Sequence, residues 1–234
     1  MVRRPPPAPP RLGIPAYFYP WPGDLSWLSL QSVPAGAIVV IDPANGPGAT
    51  ADPNYQRALV AVRRAGAVIF GYVDSAYGKR STRSLVAQAR NYRSWYGVDA
   101  IFIDQIAGTA DDLTYSRRIS RAFRAEGFGI AMNPGQPVID ASYFDLADHV
   151  VVFEGCLADY LVQDFPHWIA QRNSDQVWHL VYAVGTAADY ATAARLAARR
   201  GAGVFFANDG ALPNAWDRLP PYWQTMTTQA VAKA

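Results

Sequence analysis

The chain has 234 residues, half of them hydrophobic, which suits one domain with a large core and is near the usual size of a single barrel. Its 21 basic and 19 acidic side chains leave a net charge of +2, too even a balance to argue for a nucleic-acid or polybasic membrane partner. A single cysteine, Cys156, and three histidines exclude an internal disulfide and a Cys/His zinc module, and no run of about 18 apolar residues is present to span a membrane.

The Pro-rich start, residues 1–10, is expected to be an extended, poorly ordered arm outside the fold, because successive prolines remove donors and fix φ. It lacks the apolar run of a secretory leader, so the expectation from these residues is a cytoplasmic protein or a chain whose leader has been trimmed. Residues 11–234 are expected to form one catalytic domain. Within it eight short apolar runs recur: 13–20 (GIPAYFYP), 37–43 (AIVVIDP), 68–74 (VIFGYVD), 100–105 (AIFIDQ), 129–134 (GIAMNP), 149–154 (HVVVFE), 177–184 (VWHLVYAV) and 203–209 (GVFFAND). Their nearly continuous apolarity predicts strands covered on both faces, as in a parallel sheet.

Helical patterns separate them. After the second run Asp52 can cap a helix, Pro53 suits its first position, Gly66 can close it, and Tyr55, Leu59 and Val62 share a face. After the third, Leu85, Ala89, Tyr92 and Tyr96 form one stripe, and Thr186 opens an Ala-rich helix ending at Arg200 and Gly201. The connections after the first and fifth runs carry weaker helix signals. Eight βα units predict a closed (β/α)8 TIM barrel, with a doubly wound open sheet as the alternative.

In such a barrel the loops after the strands converge on one mouth, so the strand ends carry the chemistry. Those ends supply Tyr17 and Tyr19, Asp42, Tyr72 and Asp74, Asp104 and Gln105, Asn133, Glu154, Tyr182, Asn208 and Asp209, with Asn45 in the loop after the second run. Unpaired polar groups at the ends of apolar strands each cost about 1–3 kcal/mol, and a ligand site explains them more simply than a core does. Asp42 before Pro43 can equally form a turn, and Asp74 and Asp209 can cap loops. Asp104 has no such excuse: Ile101, Phe102 and Ile103 run straight into it. Glu154 likewise follows four apolar residues, Val150 to Phe153, and Glu is a poor turn former. Tyr17, Tyr19, Trp21, Trp27, Tyr72 and Tyr182 could each pack in a core, but several at one mouth suit sugar rings.

His149 begins its strand and His179 lies mid-strand, so neither is a metal candidate, and no metal or organic cofactor is expected. Gly78-Lys79 lacks the serine or threonine and the upstream glycine of a phosphate loop, which argues against nucleotide binding there. Two carboxylates without a nucleophilic serine or cysteine leave acid/base hydrolysis of an acetal, with one carboxyl protonated and the other ionised. Strands four and six are two apart around a barrel. Asp104 and Glu154 are therefore expected to face each other in the largest cleft, with carboxyl oxygens less than about 10 Å apart.

The segments YFYPW, IDPANGPG, GYVDSAYGKR, WYGVDAIFIDQ, MNPG and VVFEG, in that order, resemble the spherulin-4-like family, and the match spans nearly the whole chain after the Pro-rich arm. That resemblance implies a (β/α)8 member of glycoside hydrolase family 135, cutting within α-1,4-linked galactosamine or N-acetylgalactosamine polymers such as galactosaminogalactan. By motif, the fourth-strand Asp falls on Asp104 and the sixth-strand Glu on Glu154, the roles of acid and of nucleophile or stabiliser being exchangeable between them. The other mouth residues are implied to bind sugar. The resemblance also implies a secreted or cell-surface location and a galactosamine-containing polysaccharide as partner, and the chain is expected to act as a monomer. One departure is that Gln105 stands where the family has Glu. An amide donates a hydrogen bond but transfers no proton, so a non-catalytic polysaccharide-binding barrel is the alternative, followed by a cytoplasmic barrel enzyme of small metabolites.

Overall fold

The computed structural model describes residues 9–109, 112–136 and 140–231. The expected arm therefore lies mostly outside the described residues, at 1–8, and Pro10 is already buried. Eight parallel strands follow: β1 (Arg11–Ala16), β2 (Ile38–Ile41), β3 (Val68–Asp74), β4 (Ala100–Asp104), β5 (Gly129–Met132), β6 (His149–Cys156), β7 (Val177–Tyr182) and β8 (Val204–Ala207). Each pairs with the next in chain order, and β8 returns to β1 through Arg11↔Val204 and Leu12↔Phe205, closing the barrel and excluding the open sheet. Helices alternate with them: α1 (Leu25–Leu30), α2 (Pro53–Arg64), α3 (Thr82–Tyr96), α4 (Leu113–Ala125), α5 (Tyr143–Leu146), α6 (Leu157–Val162), α7 (Ala187–Arg199) and α8 (Trp223–Val231).

The helix signals act as their chemistry dictates. The Asp52 carboxylate accepts the Asn54 N–H at 2.8 Å with Pro53 opening α2, and Thr186 accepts the Asp189 N–H at 3.1 Å to open α7. Tyr55, Leu59 and Val62 of α2 and Leu85, Ala89, Tyr92 and Tyr96 of α3 are buried against the sheet. The two weakly signalled connections contain short helices, six residues in α1 and four in α5, and α6, in a connection not among the weak ones, is equally short at six. Strand limits differ from the apolar runs mainly at the mouth. β3 matches its run; β1 starts two residues earlier than expected and stops at Ala16, because Tyr17–Pro20 leave the ladder, and β2, β5 and β8 also stop before the polar residues that end their runs. Apolar and aromatic residues in mouth loops look like strand because they cover the barrel end.

Large rings fill the barrel interior. Phe102 and Trp178 meet edge to face at 5.4 Å, and His149 meets Trp178 at 6.2 Å. Gly13 makes room for them: a Cβ there would lie 2.4 Å from Val204 and 2.5 Å from Trp178. His179 faces outward, its Nδ1 2.7 Å from the Tyr160 hydroxyl, and burial pushes its pKa down to about 3. Both histidines are packing residues.

β6 contains the irregularity that matters for function. Val151 pairs with Trp178 but Phe153 pairs with His179, so Val152 is an extra residue in the ladder. Before it, His149 meets interior rings. After it, Phe153 packs outward on Tyr160 at 4.8 Å and Phe165 at 6.1 Å. Strict alternation from His149 would send Phe153 inward and Glu154 outward. The extra residue reverses this and turns Glu154 into the barrel mouth.

Candidate active site

Asp104 ends β4 and Glu154 lies near the end of β6, with Asn133 following the intervening β5. The buried Asn133 amide nitrogen donates one hydrogen bond to Asp104 Oδ1 at 2.7 Å and the other to Glu154 Oε2 at 2.6 Å. These two bonds limit the separation of those carboxylate oxygens to at most 5.3 Å. The Gly135 N–H donates to Asn133 Oδ1 at 2.9 Å, which fixes which way the amide points. Each carboxylate has a second donor: the Tyr72 hydroxyl on Asp104 Oδ2 at 2.8 Å, and the Trp216 indole N–H on Glu154 Oε1 at 2.9 Å.

Burial pushes the Glu154 carboxyl up, and the nearby Asp104 charge pushes it further, against the hydrogen bonds from Asn133 and Trp216. Burial also raises Asp104, but Tyr72, the Gln105 N–H and Asn133 all stabilise its charged form. The Asp74 charge adds to the rise at Asp104, so both members of the pair are held above the ordinary carboxylate range and titrate as one coupled unit. Asp42 is a third raised carboxyl, pushed up to about 6 by burial despite the Gly46 N–H on its Oδ1 at 2.7 Å.

A cleft of about 350 Å³ opens on this pair, and its lining includes Tyr17, Asp42, Asn45, Tyr72, Asp104, Glu154 and Tyr182. The carboxylate spacing meets the expectation, but the cleft is not the largest hollow: a groove beside α7 holds about 460 Å³ and a shallow one on α4 about 590 Å³. Residues 212–216 of the segment after β8 line one side of the mouth. Among the described residues, no group of three His, Cys, Asp or Glu side chains is arranged to hold a metal.

The other candidates lie elsewhere. The Tyr19 hydroxyl donates to Asp52 at 2.8 Å outside the cleft, and neither Trp21 nor Trp27 lines it. Asp74 accepts the Ala76 N–H at 2.6 Å and faces Arg80 at 3.3 Å, and Asp209 pairs with Arg218 at 3.1 Å. Gln105 adopts a left-handed conformation (φ 51°), its carbonyl taking hydrogen bonds from the Ser75 hydroxyl and the Tyr77 N–H at 2.7 and 2.9 Å. Its side chain does not line the cleft. Asn208 is fully buried and donates to the carbonyls of Ala215 and Arg218 at 2.7 and 2.9 Å, shaping the loop that delivers Trp216. Trp216 itself escapes strand-end reasoning, since it lies in that loop; a tryptophan amid Pro, Asn and Asp was its one signal.

A family model described as spherulation-specific family 4 matches residues 11–230. Among solved structures, Aspergillus clavatus Sph3 in complex with GalNAc superposes with a TM-score of 0.81 at 23% identity, covering 95% of this chain and 98% of that one. A GH18 chitinase from Pseudoalteromonas aurantia superposes with a TM-score of 0.56 at 12% identity, covering 93% and 99%. No curated protein matches the sequence.

Proposed function

The chain belongs to spherulation-specific family 4, and on that footing we propose that it is a glycoside hydrolase that cuts within α-1,4-linked galactosamine or N-acetylgalactosamine polysaccharide, outside or on the surface of the cell. The observation that carries this reading is the carboxylate pair held by one amide no more than 5.3 Å apart. Carboxyl groups about 5–5.5 Å apart suit a retaining mechanism, whereas inverting enzymes keep about 6.5–9.5 Å for a water. Protonated Glu154 gives its proton to the leaving glycosidic oxygen while the Asp104 carboxylate attacks the anomeric carbon. Glu154, now ionised, takes a proton from the water that releases the sugar from Asp104. Tyr17, Tyr182 and Trp216 offer aromatic faces to sugar rings, and Asp42 and Asn45 offer hydroxyl partners. The GalNAc in the Sph3 complex supports an amino sugar as the unit bound.

Incubation with galactosaminogalactan should release oligosaccharides detectable by mass spectrometry. Glu154→Gln should lower the rate by about 10²- to 10⁴-fold or more and keep polymer binding, since shape and stacking remain. Wild-type protein that binds the polymer and releases nothing contradicts the reading. Gln105 favours a second reading, a binding barrel without turnover. Gln105→Glu separates the two: an active wild type should change rate only modestly, because this side chain lies outside the cleft lining. An inactive wild type that gains hydrolysis on this substitution would establish the binding barrel.

A further inference from the structure

α4 carries four arginines and no acidic residue along its 13 positions. Arg124 is neutralised, its two terminal nitrogens meeting the Asp148 carboxylate at 2.7 and 2.8 Å. Arg80, Arg90, Arg93 and Arg218 also face carboxylates, at 2.6–3.3 Å. Arg117, Arg118 and Arg121 are exposed, and none of them forms an ion pair among the described residues. The Ser142 N–H is the main cause holding the Asp140 carboxyl low, and the Arg117 charge contributes least to it. Like charges three or four residues apart on a helix repel, and Arg121 stands in that relation to Arg117, Arg118 and Arg124. The pattern therefore works against α4 in the isolated chain. With Thr114 and Ala122, the three unpaired arginines line the shallow hollow of about 590 Å³ on this helix. Arg117 and Arg121 are about 6 Å apart along the helix axis. Arg118 lies 5.5 Å over the Tyr115 ring, whose hydroxyl donates to the Arg80 carbonyl at 2.7 Å, which steadies that guanidinium without neutralising it. None of these residues lines the cleft at Asp104 and Glu154, where Asp42 adds a third carboxyl.

We propose that the α4 hollow binds an acidic polysaccharide, its Arg117, Arg118 and Arg121 guanidinium groups pairing with carboxylates on successive sugar units. A planar guanidinium matches a carboxylate with two parallel hydrogen bonds, which a point charge does not. One exposed ion pair contributes little, so a ligand with several charges on one chain is required. A hollow presents its arginines to units that enter it, whereas a flat lipid surface meets groups that protrude. The net charge of +2 supplies little general attraction for nucleic acid. The ligand is also opposite in charge to a galactosamine polymer with free amines, which the α4 arginines repel and the mouth carboxyls attract. The site therefore goes beyond the hydrolase reading and does not depend on it.

The test is calorimetric titration of the full chain at low salt with polygalacturonate, with neutral galactan as the uncharged control, and with single-stranded DNA and phosphatidylglycerol-containing vesicles as rival polyanions. Wild type should bind polygalacturonate and not galactan, and added salt should weaken the binding. The triple variant Arg117→Gln, Arg118→Gln, Arg121→Gln should weaken it about tenfold, the effect of three surface pairs together. Its melting temperature should stay the same or rise, since repelling pairs are removed. A second triple variant, Arg64→Gln, Arg195→Gln, Arg199→Gln, removes the same charge from exposed positions on α2 and α7 and should bind polygalacturonate like wild type. No binding by wild type, or an equal loss in both triple variants, overturns the site. Tighter binding of DNA or of the vesicles, lost in the α4 variant alone, overturns the polysaccharide as its ligand. The hydrolase reading is read out separately, by release of oligosaccharides from galactosaminogalactan, and either result leaves the other standing.

Discussion

Glu154 accepts two hydrogen bonds, one from the Asn133 amide and one from the Trp216 indole, and each stabilises its charged form. Trp216→Phe keeps the ring and removes the N–H, so the Glu154 pKa should rise and the basic limb of the kcat/KM profile should move to higher pH. The expected shift is about one unit, the size of a hydrogen bond to a charged group. An unmoved limb would remove Trp216 from control of the acid. Asp104 and Glu154 were legible in the sequence because a lone carboxylate ended an apolar run with no turn residue to explain it. Asn133 was legible as a mouth residue only; that its amide bridges both carboxylates depends on β5 lying between β4 and β6. Trp216 was invisible to the same reasoning, since it is carried in by a loop and not by a strand end.

Among the elements, the segment after β8 and the irregular β6 shape the mouth most. Asn208 places two hydrogen bonds on the carbonyls of Ala215 and Arg218, and Gly210 lies so close that a Cβ there would be 2.3 Å from the Ala215 oxygen. Asn208→Ala leaves both carbonyls without this donor and should destabilise the fold by about 1–3 kcal/mol, read as a lower thermal midpoint. It should also lower kcat more than it raises KM, because Trp216 loses its register on Glu154; equal stability and rate would contradict the assignment. The helices α2, α3 and α7 could be read from caps and stripes, which are local. The extra residue at Val152 could not: HVVVFE reads as an even strand, and only the mismatch between β6 and β7 shows that Phe153 and Glu154 exchange faces.

At the scale of the whole molecule, eight recurrent apolar runs gave the closed barrel, since parallel strands buried on both faces have few other arrangements. The segment that lines one side of the mouth is placed by long-range contacts, such as Trp216 on Glu154, that no run encodes. The mouth also sets how stability depends on pH. Asp42, Asp104 and Glu154 all have raised pKa values, so the folded state holds protons that the unfolded chain has already released. Their contribution is complete below the ordinary carboxylate range and is lost as pH rises through the folded values. For Asp42, raised from 3.8 to about 6, the loss is on the order of 3 kcal/mol. Asp42→Asn keeps an acceptor for the Gly46 N–H and should flatten the fall in melting temperature between about pH 4 and pH 6. An identical fall in both proteins would place the effect elsewhere. The central claim, that Asp104 and Glu154 act as a close retaining pair, is tested most directly by proton NMR of the first products released from an α-1,4-galactosamine oligomer. The account predicts the α-anomer first, turning slowly into the equilibrium mixture; the β-anomer first, or no product from a chain that binds the oligomer, would contradict it.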